Sequence, residues 1–166
     1  MQIRVEDDEK VLKKQDQFEY RSGVGSLLYL LKHSRPELSN PIRELSRCMD
    51  RPSEENRKEM YRVIKWVIDH PFVGWRCDPR VEKKKNGEVI WSLSGICDAT
   101  WGSSKQDGRS VSRYIVYLQG VPIAWRSKCQ PHCSLSSSES EYVAISELVR
   151  ETQIAQQVLS DMGISL

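Results

Sequence analysis

Hydrophobic positions along the chain change period twice. Between Tyr20 and Ile68 they recur every three or four residues, as on a helix face; between Val89 and Ser127 they come in short runs rich in Val, Ile, Tyr and Trp, as in strands. After Ser136 the helical spacing returns and lasts to Met162. Leu27, Leu28, Leu30 and Leu31 predict a first helix opening at Tyr20, in which Gly23 and Gly25 serve close helix packing. Ile42, Leu45 and Met49 predict a second, after the punctuation at His33 to Pro41, where His33 reads as a surface or cap residue. Met60, Val63, Ile64, Val67 and Ile68 predict a third, with Ser53 as N-cap, Glu54 and Glu55 in its first turn, and His70-Pro71 beyond its end. Tyr61 and Trp66 flank that stripe, and core packing explains them better than stacking on bases.

In the middle of the chain, Asn86-Gly87 is a hairpin signal, and Val89 to Cys97 reads as a strand that presents Asp98 at its end. A loop from Gly102 to Ser110 leads to strands at Ser112 to Leu118 and Val121 to Ser127, joined at Gln119-Gly120. The last helix takes its cap from Ser136-Ser137-Ser138, carries Ile145, Leu148, Val149, Thr152, Ala155, Val158, Leu159 and Met162 on one stripe, and stops at Gly163. The result is a mixed α/β (α+β) chain in three parts. Residues 1–19 form a charged, loose lead-in, 20–77 a helical segment, and 78–166 a three-stranded antiparallel sheet with a long helix, the boundary falling near Pro71 to Asp78.

Composition narrows the setting. With 39% apolar and 29% charged residues the chain reads as globular; no apolar run is long enough to span a membrane, and the acidic N-terminus is unlike a signal peptide. An intracellular protein is expected, cytoplasmic, nuclear or within virus-like particles. The five cysteines lack CxxC spacing, so free thiols are expected, and Cys129, His132 and Cys133 have no second ligand pair with which to form a zinc finger. A net charge of +2 does not by itself indicate nucleic acid, though Arg80-Val81-Glu82-Lys83-Lys84-Lys85 could touch phosphate from a solvated hairpin tip.

Two carboxylates stand apart from the other acids. Asp98 ends a strand, and Glu141 lies four residues before Ile145 on the apolar stripe, whereas Glu139 and Glu147 read as solvated helix charges. Two carboxylates brought together from a strand and a helix repel unless a hard divalent cation lies between them. On spacing alone the plainer reading is favoured, in which Asp98 caps a loop and Glu141 suits the helix dipole.

Four ordered motifs change that balance. Cys97-Asp98-Ala99-Thr100-Trp101-Gly102, Asp107-Gly108-Arg109-Ser110-Val111-Ser112, Pro122-Ile123-Ala124-Trp125-Arg126-Ser127-Lys128 and Leu135-Ser136-Ser137-Ser138-Glu139-Ser140-Glu141-Tyr142-Val143-Ala144 resemble the ribonuclease H region of Ty1/copia-type retrotransposon Pol proteins. Tyr20-Arg21-Ser22, Gly25-Ser26-Leu27-Leu28-Tyr29-Leu30, Ser34-Arg35-Pro36-Glu37 and Leu45-Ser46-Arg47 resemble the same family's reverse transcriptase thumb and connection, which guides a primer and template duplex. The resemblance covers Tyr20 to Leu166. It implies a truncated ribonuclease H-like fold, with Asp98 and Glu141 as catalytic acids and ligands of Mg²⁺ or Mn²⁺. Its implied partners are an RNA:DNA hybrid or other nucleic acid and the remainder of the Pol polyprotein, with no membrane and no nucleotide cofactor.

Departures from the family pattern set limits on activity. Thr100 stands where the family has a second acid, and Ser137-Ser138-Glu139-Ser140-Glu141 where it has Ser-Thr-Glu-Ala-Glu. Asp7-Asp8 lacks the tyrosine and strand-like flanks of a polymerase turn. A third catalytic acid is missing too, because Asp161 falls about 30 Å along the helix from Glu141. Two-metal hydrolysis sets its cations about 3.5 to 4 Å apart, and two acids hold the second one weakly. The expectation is therefore a Pol fragment whose ancestral activity is cleavage of RNA in RNA:DNA hybrids, inactive alone, with metal binding weak or absent. The alternative is a remnant that binds nucleic acid or protein without catalysis.

Overall fold

The computed structural model of the chain describes residues 11–104 and 107–166. Lead-in residues 1–10, with Asp7 and Asp8, lie outside the described residues, as do Lys105 and Gln106 of the loop after Gly102. The chain divides between Trp75 and Arg76 into two compact units.

The first unit is helical. Helix α1 (Lys14–His33) begins six residues before Tyr20, so the end of the charged lead-in is helix rather than loose chain. Its first turns bury little, and they therefore show no apolar period in the sequence. A single-turn 3₁₀ segment (Pro36–Leu38) leads into α2 (Ser39–Arg47), and α3 (Glu54–Asp69) follows a capping box in which Ser53 and Asn56 satisfy each other's backbone N–H groups. Tyr20, Val24, Leu27, Leu38, Ile42, Leu45 and Met60 form the core, each at most 2% exposed. Gly23 lies where a β-carbon would meet the Met60 sulfur, so its small size serves helix packing, whereas Gly25 faces open space. Tyr61, Trp66 and Ile68 are exposed, against expectation. Trp66 stacks on His70 with Arg35 over its ring, and the Tyr61 hydroxyl donates to Glu19.

Within this core the Tyr20 hydroxyl donates to the Leu45 carbonyl at 2.7 Å, and burial, then the neighbouring Cys48, raises its pKa. A raised folded-state pKa contributes stability that is complete below the unfolded value near 10 and is lost as pH climbs beyond it. Tyr20→Phe is expected to cost about 1 kcal/mol at neutral pH, because Leu45 keeps its bond from the Cys48 N–H, and to flatten the alkaline decline. Urea unfolding at pH 7 and at pH 11 checks both; an unchanged alkaline slope would assign that decline to other groups.

The second unit is a mixed sheet-and-helix layer. Strands β1 (Glu82–Lys83) and β2 (Val89–Ile90) form the hairpin around Asn86-Gly87. The expected Val89 to Cys97 strand is broken at Trp91-Ser92, and β3 (Leu93–Thr100) runs on through Asp98 instead of stopping before it. Strands β4 (Val111–Leu118) and β5 (Val121–Cys129) complete an antiparallel sheet in the order β3-β4-β5. Gln119 and Gly120, both at positive φ, turn the β4–β5 hairpin. Helix α4 (Ser137–Asp161) packs on one face of this sheet, capped by Ser136 and followed by Gly163 in the left-handed region. Among the described residues, no helix is long and apolar enough to cross a membrane.

Candidate functional site

The site begins from strand alternation. Gly95 lies under Leu148 of α4, and Tyr114, opposite Cys97 on β4, bonds Glu151 of α4. Cys97 therefore shares the helix-facing side, and Asp98 faces the other way. Directly across from it on β4 stands Arg113, whose Nη1 lies 3.5 Å from Asp98 Oδ2; the Asp98 side chain is 66% exposed. The buried Nε of Arg113 has no hydrogen-bond partner among the described residues.

Glu141 sits in the second turn of α4 and is exposed. The helix is turned so that Ser140, Ala144 and Leu159 are buried, with Leu148 on the same side, which places Glu141 about 100° from Ser140 on the rim of the packed face. Glu139 is exposed, as expected of a solvated helix charge, whereas Glu147 departs from that role. The Glu139 carboxylate accepts the Leu135 N–H and so completes the cap, while Glu147 faces β5, with its side chain 14% exposed and 4.0 Å from Lys128.

Cys97 lies beside Asp98 in the strand but on the other face of the sheet. Burial, and then the charges of Asp98 and Glu141, push its thiol pKa up, but Asp98 leaves the sheet on the face away from α4, so the structure does not bring its carboxylate together with that of Glu141. Carboxylates are the donors that Mg²⁺ prefers, and it commonly binds through one or two of them, with water and substrate phosphate filling the remaining positions. Asp98 and Glu141 are suitable donors in kind, but Asp98 pairs with Arg113 on the sheet face away from α4, so the arrangement does not assemble a site for the ion. Among the described residues, no three of His, Cys, Asp and Glu are grouped to hold a metal, Cys129, His132 and Cys133 included.

The sequence reading missed Gln130, which is 1% exposed and holds the start of α4 to the sheet. Its Nε2 donates to Ser112 Oγ at 2.9 Å and to the Ser140 carbonyl at 2.8 Å, and its Oε1 accepts from Ser134. Trp101 adds a second tie, its indole N–H donating to the Ser134 carbonyl at 2.9 Å. A single glutamine after a strand carries no periodic signal. Ser140, however, could have been found by stepping back four residues from Ala144. Gln130→Ala is expected to cost about 2 to 3 kcal/mol by leaving the buried Ser112 hydroxyl unpaired beside a cavity. Denaturant unfolding checks this, and a loss under about 0.5 kcal/mol would contradict the clamp.

Near the same end of the sheet, a hydrogen bond from Ser104 and then the Arg109 guanidinium bring the Asp107 carboxyl down to about 2, against the opposing effect of burial. The Cys133 thiol donates to the Asp107 carbonyl, so this motif folds its own loop. Arg80, Lys83, Lys84 and Lys85 are exposed, with Lys84 paired to Glu88.

No protein-family model matches the chain, and no solved structure matches it. Among curated proteins it is 36% identical over 154 residues to "Retrovirus-related Pol polyprotein from transposon RE1" of Arabidopsis thaliana and 35% identical over 154 residues to the corresponding polyprotein from transposon RE2 of the same plant. Each match covers 93% of this chain and 10% of the polyprotein, so the chain spans about a tenth of their length. A third relative, "Secreted RxLR effector protein 161" of Plasmopara viticola, is 33% identical over 132 residues, covering 80% of this chain and 87% of that protein.

Proposed function

We propose, from the chain's similarity over 93% of its length to retrovirus-related transposon Pol polyproteins, that it is the thumb and connection segment together with the opening of a ribonuclease H-like domain. In the whole polyprotein that domain cleaves RNA in RNA:DNA hybrids, and this segment alone does not. The observation that carries the proposal is the similarity over 93% of the chain to two transposon Pol polyproteins, while Asp98 itself lies on the sheet face turned away from α4. In this reading the two carboxylates would hold Mg²⁺ or Mn²⁺ only once the rest of the domain is present, and the ion would neutralise charge and lower the pKa of water. Arg113 orients Asp98, and Gln130 with Trp101 fixes the helix start that carries Glu141. The exposed Arg80, Lys83, Lys84 and Lys85 supply backbone contacts to the duplex.

A second reading is binding without hydrolysis, favoured by the ion pair that Asp98 makes with Arg113. The test is incubation of the purified chain with a labelled RNA:DNA hybrid in Mg²⁺ and in Mn²⁺. Binding that weakens with salt, without cleavage, is expected. Cleavage abolished by both Asp98→Asn and Glu141→Gln would overturn inactivity of the segment, and absence of hybrid binding would remove the nucleic-acid role. Salt-dependent binding indifferent to Asp98→Asn favours the second reading.

A further inference from the structure

Gln119 grips both legs of the β1–β2 hairpin. On the leg that enters β1, its carbonyl accepts the Arg80 N–H at 2.8 Å. On the leg that leaves β2, its Nε2 donates to the Ile90 carbonyl at 2.8 Å and its N–H to the Ser92 carbonyl at 2.9 Å. The residue is 5% exposed, and its φ of 53° lies in the left-handed region, as does the 78° of Gly120. A two-residue turn with both central φ positive favours asparagine, aspartate or glycine. Glycine in place of Gln119 would make the turn more cheaply and forgo the bond to Ile90.

The hairpin held in this way has two unlike faces. Its register pairs Glu82 with Ile90 and Lys83 with Val89, so the two pairs face opposite ways. Lys84 continues the ladder by donating its N–H to the Glu88 carbonyl, and its Nζ lies 3.3 Å from the Glu88 carboxylate. The Glu82 face therefore carries two acids and a lysine already engaged by one of them. The Lys83 face carries no acid. Lys85 sits in the turn that the Gly87 N–H closes on the Lys84 carbonyl, and Asn86 Oδ1 accepts the Glu88 N–H, so the tip holds its own shape. Lys83 and Lys85 are exposed, and among the described residues neither has an acid partner.

We propose that Gln119 is the positioning residue of a phosphate-binding arm, in which Lys83 and Lys85 contact the backbone of an RNA:DNA duplex and Lys84 does not. On the duplex-binding role proposed for the segment, its four cations then divide by task. Arg80 and Lys84 belong to the arm's own structure, since the Arg80 stem lies along Gly120 and Lys84 is held by Glu88. Lys83 and Lys85 keep their charge for phosphate. A lysine is a point charge on a flexible stem, so where its charge falls depends on where the backbone beneath it is fixed. With the root of the arm tied at three points, less disorder has to be removed when the duplex binds.

Fluorescence anisotropy of a labelled RNA:DNA hybrid with the full chain, in EDTA so that no hydrolysis intervenes, tests this across about 50 to 200 mM salt. Lys83→Gln and Lys85→Gln should each reduce the slope of log affinity against log salt by about 0.9, and Lys84→Gln by less than about 0.3. Gln119→Gly changes no charge and suits the turn, yet should raise the dissociation constant about fivefold, the worth of one hydrogen bond. In a chain already carrying Lys83→Gln and Lys85→Gln, the same substitution should change it less than about twofold, because Gln119 acts through those lysines. Equal losses in both backgrounds would make Gln119 merely structural and overturn the proposal, as would slopes reduced alike at all three lysines. Amide exchange without nucleic acid gives a second readout. Gln119→Gly should speed exchange at Lys84 and Gly87, and unchanged exchange would overturn the positioning role whatever the binding shows. A wild-type chain that binds no hybrid fails the duplex-binding role and this proposal with it, whereas binding indifferent to Gln119→Gly fails this proposal alone.

Discussion

Within a full-length Pol polyprotein, Asp98→Asn and Glu141→Gln are each expected to lower RNA:DNA hybrid cleavage by at least about 100-fold. Loss of a group that merely orients a metal ligand costs about 10- to 100-fold, and loss of a ligand's charge costs more. Asparagine and glutamine keep the shape and one oxygen, so folding is little disturbed while attraction for the cation is lost. Glu139→Gln is the informative control. Glutamine still accepts the Leu135 N–H, so the helix start should survive and cleavage should change less than about threefold. Single-turnover cleavage across a Mg²⁺ titration separates the cases. If Asp98→Asn and Glu141→Gln both cleave within tenfold of wild type at saturating Mg²⁺, the assignment of this pair fails.

In the first unit, Ile42→Ala is expected to destabilise by about 3 to 4 kcal/mol. Ile42 is 0% exposed within the cluster that includes Tyr20, Leu45 and Met60, and truncating a buried isoleucine to alanine costs about 2 to 5 kcal/mol, with the larger values where the cavity cannot collapse. A helical core of this size supplies only about 3 to 5 kcal/mol in total, so the loss takes most of it. Because the two units have separate cores, amide exchange should show α1, α2 and α3 losing protection while β4 and α4 keep theirs. Equal loss in both units would contradict that independence.

Much of this architecture was legible because local chemistry repeats what packing requires. Ser53 and Ser136 cap the helices they were expected to cap, Gly163 follows α4, and Gln119-Gly120 turns β4 into β5. The phase of α4 was not legible. Its apolar residues spread wider than one sheet face, so Ile145 and Val149 read as core although they are exposed, and Glu141 as inward-facing although it lies on the rim. Tyr61 and Trp66 misled for a related reason: large aromatic rings beside an apolar stripe suggest burial, but here polar neighbours hold them at the surface. Asp98 was found from its strand, while Arg113 could be identified only from the register of β4, which no single strand reveals.

The β4–β5 turn bears on the order in which the second unit assembles. Gln119 accepts a left-handed conformation that glycine would adopt at less cost, and in return its backbone N–H donates to the Ser92 carbonyl and its side chain to the Ile90 carbonyl. A two-residue turn brings its strands together within about 1 to 10 µs, so this hairpin can nucleate while its tip captures the chain just ahead of β3. The partners are near in sequence, and the sheet can form before α4 arrives, including on a ribosome that has not yet released the helix. Translation thus delivers a bare sheet first, and the helix closes over it last.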